Sequence, residues 1–271
     1  MSDLLIHSMA EFSSIILPCL DEAGVRDIAE IGSEFGGMSR LLAERCEQTG
    51  GQLTCIDPAP ASGFADWAEG LSHVEHIAAL SLSALQTARA QDAWFIDGDH
   101  NYYTVLHELV AIDALQRAAG RPLLAFVHDV SWPCARRDFY YAPERIPAQW
   151  RHPHSFDHGV RLESDRAFDA RGLRGMGHFA VALEAGGARN GVLTALEDFL
   201  KDADTDERPL CYVHIPAVLG LGIIFDASTP WAEPLAQWLR PYHANALIAR
   251  LEENRLRNYL EVIDWQDRRT R

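Results

Sequence analysis

The feature that most constrains this chain is the stretch Ile28-Ala-Glu-Ile-Gly-Ser-Glu-Phe-Gly-Gly-Met-Ser-Arg40, followed a strand's distance later by Leu53-Thr-Cys-Ile-Asp57. An apolar run ends in Glu30, Gly32 and the pair Gly36 and Gly37 follow, and a helical pattern runs from Met38 to Gln48. A strand that turns through glycines into a helix brings backbone close to a bound nucleotide, because glycine has no Cβ to hold the ligand off. Asp57 closes the next apolar run, where a carboxylate can accept both hydroxyls of a ribose. The pattern predicts an adenosine-type cofactor, although the same turn also serves α/β folds that hold no ligand.

Spacing narrows the choice. The dinucleotide fingerprint needs Gly-x-Gly-x-x-Gly, three glycines that seat a pyrophosphate on a helix N-terminus. Here position 34 is Glu, whose charge repels a pyrophosphate at close range. Glu30 points the same way, since an acid ending the first strand suits an amine-bearing or cationic ligand. An NAD-dependent oxidoreductase is therefore disfavoured. The pattern Glu-x-Gly-x-x-x-Gly-Gly resembles motif I of class I S-adenosylmethionine-dependent methyltransferases, whose cofactor carries an ammonium and a sulfonium.

Short apolar runs alternate with helical patterns through the first half, which predicts βαβ units and a parallel sheet. Strands are expected at 25–31, 52–56, 74–78, 93–96 and 123–127, with helices at 38–48, 65–70, 82–90 and 102–119. An opening helix over 4–23, interrupted at Pro18, would cover a sheet edge or form part of a cofactor lid. From 130 to 189 the rhythm breaks into a segment too aromatic for disorder, read as an insertion over the substrate. A helix at 190–200, an antiparallel strand pair at 210–215 and 219–225, and an amphipathic helix at 244–262 complete the chain. No linker forces a second domain.

The second informative stretch is Ala93-Trp-Phe-Ile-Asp-Gly-Asp-His-Asn-Tyr-Tyr103. Ligands of open parallel sheets lie beyond the carboxyl ends of the strands. Asp97, Asp99 and His100 fall there, although Asn101 or Asp99 can equally serve as the N-cap of the next helix. With this motif added, Glu30-Ile-Gly-Ser-Glu-Phe-Gly-Gly, Ile56-Asp-Pro58, Phe95-Ile-Asp-Gly-Asp-His100 and Val127-His-Asp129 stand in order. Together they resemble the small-molecule methyltransferase family that includes macrocin O-methyltransferase, over roughly residues 25–130.

That resemblance implies a Rossmann-like seven-stranded α/β sheet with helices on both faces, S-adenosylmethionine as donor and, in several relatives, a divalent metal such as Mg or Mn. The cofactor set it implies is Glu30, Gly32, Ser33, Gly36, Gly37, Asp57, Ser81 and Asp97. It makes His100 the general base, with Asp97 and Asp129 as catalytic carboxylates and metal ligands. Metal-using relatives tend to carry two adjacent acids after the fifth strand, whereas this chain has His128-Asp129. Asp97, His128 and Asp129 make a mixed set better suited to Mn, Fe or Zn than to Mg²⁺, which prefers oxygen. With no metal, His128 is a base or a core histidine.

Within the insertion, Arg136, Arg137, Tyr140 and Tyr141 are candidate contacts for a polar, anionic or glycosylated acceptor, with Arg145, Arg151, His152 and His154 beside them. Gly172, Gly175 and Gly177 suggest a flexible lid. The net charge of −15 argues against a nonspecific grip on nucleic acid. Five scattered cysteines without Cys-x-x-Cys spacing fit a reducing compartment. With neither a signal peptide nor an apolar run of membrane length, a cytoplasmic protein is expected. The sequence therefore predicts an O-methyltransferase of a small polar metabolite, possible as a homo-oligomer through its C-terminal helix. N-methyl transfer and a cofactor-binding protein without transfer are the alternatives.

Overall fold

A computed structural model describes residues 8–205 and 207–269 of the protein. A single helical turn, Met9–Phe12, runs into α1 (Ser13–Glu22), which contains Pro18. Of the helix expected over 4–23, positions 4–7 lie outside the described residues. The chain continues as β1 (Ile28–Ile31), α2 (Gly37–Thr49), β2 (Leu53–Ile56), α3 (Phe64–Glu69), β3 (Val74–Ile77), α4 (Ser81–Ala84), β4 (Ala93–Ile96), α5 (Tyr102–Ala118) and β5 (Leu124–His128). An insertion of short strands follows: β6 (Phe139–Tyr140), β7 (His154–Ser155), β8 (His158–Gly159), β9 (Phe168–Asp169) and β10 (Ala180–Ala182). The rest is α6 (Val192–Ala203), β11 (Leu210–Ile215), β12 (Leu221–Asp226), α7 (Ala232–Leu239) and α8 (Ala246–Arg269).

Seven strands form one sheet in the order β11-β12-β5-β4-β1-β2-β3. All pairings are parallel except those of β12, which runs antiparallel to both β5 and β11. The chain builds outward from β1 to β3, then crosses back to place β4 on the other side of β1. That reversal opens a crevice at the carboxyl ends of β1 and β4.

Strand parity assigns the side chains. Ile28, Ala93, Phe95, Leu124 and Phe126 join the core under α1, α2 and α7, while Ala29, Ile31, Trp94, Ile96, Ala125 and Val127 join the core under α5 and α6. Alternation carries Glu30, Asp97 and His128 onto the first of these faces. Covered on both sides, β1, β4, β5 and β12 are buried along their whole length, and their sequences are apolar apart from Glu30, His128 and Asp226.

Helix ends follow their local chemistry. The side chain of Asn101 caps α5 by accepting the Thr104 N–H at 2.9 Å, and Arg121 N–H closes its far end on Gln116 O at 2.9 Å. The helix expected over 82–90 shrinks to α4, because the Thr87 hydroxyl and N–H both return to Ala84 O and turn the chain. No element is expected from the sequence at α7, which contains Pro234. That proline occupies the first turn, where no N–H is needed.

The insertion is ordered around Asp138. Its carboxylate accepts the N–H groups of Tyr102 and Gly191, both at 2.7 Å, and the Tyr140 hydroxyl at 2.8 Å. Gly172 and Gly175, expected in a loose lid, are buried against Val160 and Phe179, so that part of the segment is packed. The inner face of α8 brings Leu256 and Leu260 against Val218, Trp132 and Leu219. Among the described residues no helix is long and apolar enough to cross a membrane.

Candidate active site

Glu30 is buried beneath α2, and its carboxylate accepts the hydroxyls of Ser39 and of Ser33, the latter at 3.3 Å. Burial pushes its pKa up to about 7, with Ser39 pulling the other way. A residue expected to meet the cofactor is therefore engaged inside the protein, tying the end of β1 to the start of α2. Gly32 has a similar internal reason. Its φ is +85°, and a Cβ there would lie 2.2 Å from the Asp97 carbonyl oxygen, so the adjoining strand ends themselves require glycine.

Asp57 holds the glycine turn. Its Oδ2 accepts the N–H groups of Ser33 (2.9 Å) and Glu34 (3.0 Å), and its Oδ1 accepts that of Ala59 (2.8 Å). A carboxylate has about four lone-pair sites. Asp57 so arranged has capacity for about one further donor, and taking both ribose hydroxyls requires the turn to release it. Gly36 (φ +76°) opens α2, and the chain before it leaves Phe35 exposed at the carboxyl edge of the sheet.

The chemistry gathers at the ends of β4 and β5. His100 Nδ1 lies 2.6 Å from Asp129 Oδ2, and His128 Nδ1 lies 2.9 Å from Asp97 Oδ1 and 3.4 Å from Asp129 Oδ2. Burial alone would lower the pKa of His100, but the charge and hydrogen bond of Asp129, then Asp97 and Asp99, raise it to about 9. For His128 the same opposition, led by Asp97 and then Asp129, ends at about 10. Burial would raise Asp129, but His100 and His128 hold it well below the usual carboxylate range. Asp129 sits at φ +64°, a conformation that turns the chain sharply out of β5.

Asp99 takes a supporting position, with Oδ1 accepting the His100 N–H (3.1 Å) and Oδ2 the Thr104 hydroxyl (3.1 Å). Ser81 opens α4 and acts on Glu108, a fully buried carboxyl of α5. Three neighbours lay beyond sequence reasoning. Ser39 holds Glu30, the Phe12 ring meets His128 edge-on at 6.0 Å, and the Cys134 thiol is directed at the Asp129 carboxylate. Only the last left a trace, a cysteine five residues past a site acid.

Of the four acceptor candidates, only Tyr141 reaches this cluster, its hydroxyl 3.3 Å from His100 Nε2. Arg136 is bound instead to Glu197 of α6 through two contacts of 2.6 Å. Arg137 is buried and donates to the carbonyls of Ala182 and Asp165, and burial lowers its pKa. Tyr140 is buried between Asp138 and the His152 N–H. All three are engaged within the protein, Tyr140 as part of the insertion's own small apolar cluster with Ile146 and Ala180. His152 bonds the Arg189 carbonyl at 2.8 Å, and His154 bonds that of His152 at 2.9 Å.

Asp97, His100 and Asp129 each offer a ligand atom within 4.8 Å of the others. His100 thus takes the place in the trio expected for His128, whose Nδ1 is turned to Asp97 and whose Nε2 is buried without a hydrogen-bond partner among the described residues. Two carboxylates and an imidazole, with a thiol beside them, fit a divalent transition ion better than Mg²⁺.

The strand order, with its antiparallel strand inserted last, is that of class I methyltransferases. Residues 29–130 match the family described as a methyltransferase domain. This segment is a class I, S-adenosylmethionine-dependent methyltransferase domain. No curated protein sequence matches the chain. Solved structures similar to it include a Klebsiella pneumoniae protein assigned as an O-methyltransferase, at 13% identity, 81% coverage of each chain and TM-score 0.46. A Podospora anserina methyltransferase bound to S-adenosylhomocysteine shares 17% identity over 81% of this chain and 79% of its own, with TM-score 0.45. A 1,6-didemethyltoxoflavin-N1-methyltransferase from Burkholderia thailandensis shares 12% over 80% and 77%, with TM-score 0.42.

Proposed function

We propose that the protein moves the methyl group of S-adenosylmethionine to a hydroxyl of a small polar metabolite, a sugar or glycoside as in the macrocin O-methyltransferase family. The observation that carries this reading is the pairing of His100 with Asp129 at the carboxyl ends of β4 and β5 within a methyltransferase domain. Asp129 bound to Nδ1 fixes the imidazole so that Nε2 faces outward, toward Tyr141. In its neutral form, reached as the pH rises toward about 9, His100 takes at Nε2 the proton of an acceptor hydroxyl that replaces the Tyr141 contact, as the hydroxyl oxygen attacks the sulfonium methyl in line. The new C–O bond forms as the C–S bond breaks, and S-adenosylhomocysteine leaves. Asp97 and Asp129 would hold a divalent ion, which when bound would supply a positive charge that lowers the pKa of a nearby hydroxyl, with His100 left free as the base.

The test joins binding to turnover. Calorimetric titration with S-adenosylmethionine and S-adenosylhomocysteine is expected to show micromolar binding of both. Labelled-methyl transfer is expected to an alcohol of a sugar panel rather than to an amine. His100→Ala keeps that binding and loses about 10²–10⁴-fold in turnover, the usual worth of a positioned base. An unchanged rate removes His100 from the mechanism, and binding without transfer to any acceptor overturns methyl transfer itself.

A further inference from the structure

The outer face of α8 has no cover among the described residues. Leu247, Leu251, Val262 and Trp265 are 67%, 60%, 44% and 55% exposed. With Asn254 and Asn258, also exposed, they recur at helical spacing and form one continuous stripe along the helix. The opposite face, through Leu256 and Leu260, packs on the protein. The stripe is therefore surplus to what holds the helix in place.

The stripe is also symmetric. Leu247 and Trp265 stand nine residues either side of Leu256, and Asn254 and Asn258 stand two either side. Leu251 precedes Leu256 by five residues and Val262 follows it by six. Flanking the stripe, Arg250 lies six residues before the centre and Glu261 five after. Neither has an ion-pair partner among the described residues, whereas Arg257, Asp264 and Asp267 are paired with Glu163, Arg161 and Arg174. In a chain of net charge −15, α8 carries five arginines and five acids and is itself neutral. Two copies can approach along it without the repulsion the rest of the surface brings.

We infer that α8 pairs antiparallel with α8 of a second copy about a two-fold axis at Leu256. Leu247 then meets Trp265 of the partner subunit, Asn254 meets the partner's Asn258, and Arg250 faces the partner's Glu261, each contact made twice. Asn258 donates to Asn254 at 3.2 Å within the helix, and the remaining amide groups of the pair, at the centre of an apolar seam, are met by their counterparts in one register. The other face of α8 packs on Trp132 and Val218, and Trp132 lies three residues past Asp129, so pairing steadies the chain leaving the site.

Sedimentation of the full chain is expected to give a dimer at about 10 µM. Arg250→Glu or Glu261→Arg alone weakens it at least tenfold, and the two together restore it. A mixture of Leu247→Cys and Trp265→Cys chains, oxidised, is expected to give the mixed disulfide dimer in preference to either like pair. A monomer at this concentration overturns the proposal. So does a dimer indifferent to both charge reversals, or crosslinking between like positions, which marks parallel pairing.

Discussion

Glu108 lies fully buried nearly two turns into α5, with neither carboxylate oxygen in a hydrogen bond of full geometry, and burial pushes its pKa up to about 8 against the pull of Ser81. As pH rises past the ordinary value of 4.5, the unfolded carboxyl ionises while the folded one keeps its proton. The unfolded state then binds fewer protons, so stability falls with rising pH until the folded group ionises near 8. Glu108→Gln lacks this titration. Its melting temperature relative to wild type is expected to climb between pH 5 and pH 9, by about 2–4 °C for each kcal/mol recovered. A difference that is flat with pH would mean the carboxyl is partnered in solution. Gly32 makes the complementary case, because steric contact sets its identity. Gly32→Ala sets a Cβ against the Asp97 carbonyl and is expected to cost at least about 3 kcal/mol. Gly36→Ala, whose Cβ would come 3.1 Å from the Phe64 ring, costs only about 1 kcal/mol. Denaturant midpoints compare the two, and equal costs would show that the strand ends can part.

At the scale of elements, the sheet was legible because its central strands are buried on both faces and read as mostly apolar runs. Ala93–Ile96 and Leu210–Ile215 fall where the pattern puts them. The site was legible only so far as it lies at strand ends. Asp97, His100 and Asp129 could be named because the run preceding each marks its place. Their pairing could not, because it depends on the left-handed turn at Asp129. Arg136, Arg137 and Tyr140 are engaged within the protein, and nothing local in the sequence distinguishes a polar group facing a ligand from one tying an insertion together. The knot at Asp138 is where that distinction can be measured. Asp138→Ala leaves the N–H groups of Tyr102 and Gly191 buried without acceptors, each worth about 1–3 kcal/mol. The insertion is expected to become sensitive to protease while the sheet keeps its far-ultraviolet signature. Asp138→Asn, which retains one acceptor, falls between. Protease resistance in the alanine variant would mean that β6, β7 and β10 hold without the knot.

Across the whole molecule, the two ends of the reaction rest on different supports. The glycine turn is built on β1, β2 and α2 and held by Glu30 and Asp57, beside the large core beneath α1, α2 and α7. In the proposed reaction the acceptor side would lie on the insertion, which α8 braces through the small cluster of Val218, Leu256 and Leu260. Arg174 adds a two-point pair with Asp267 at 2.9 and 2.6 Å, and Arg161 reaches Asp264 at 3.1 Å. Damage to the brace should therefore be felt by one substrate and not by the other. Leu256→Ala removes a side chain that is 2% exposed, and a core truncation of this kind costs about 2–5 kcal/mol where the site cannot collapse. That loss is expected to fall on α8 and the chain around Trp132, because the cluster does not include the glycine turn. Calorimetric affinity for S-adenosylhomocysteine stays within about twofold of wild type, since a difference of 1.4 kcal/mol would already make tenfold. The acceptor KM rises by about tenfold or more as insertion and sheet lose their fixed spacing. Arg174→Ala moves the same way by less, because a pair that is partly solvated contributes little. A parallel fall in affinity for both substrates would sink this division and make α8 a support of the entire sheet.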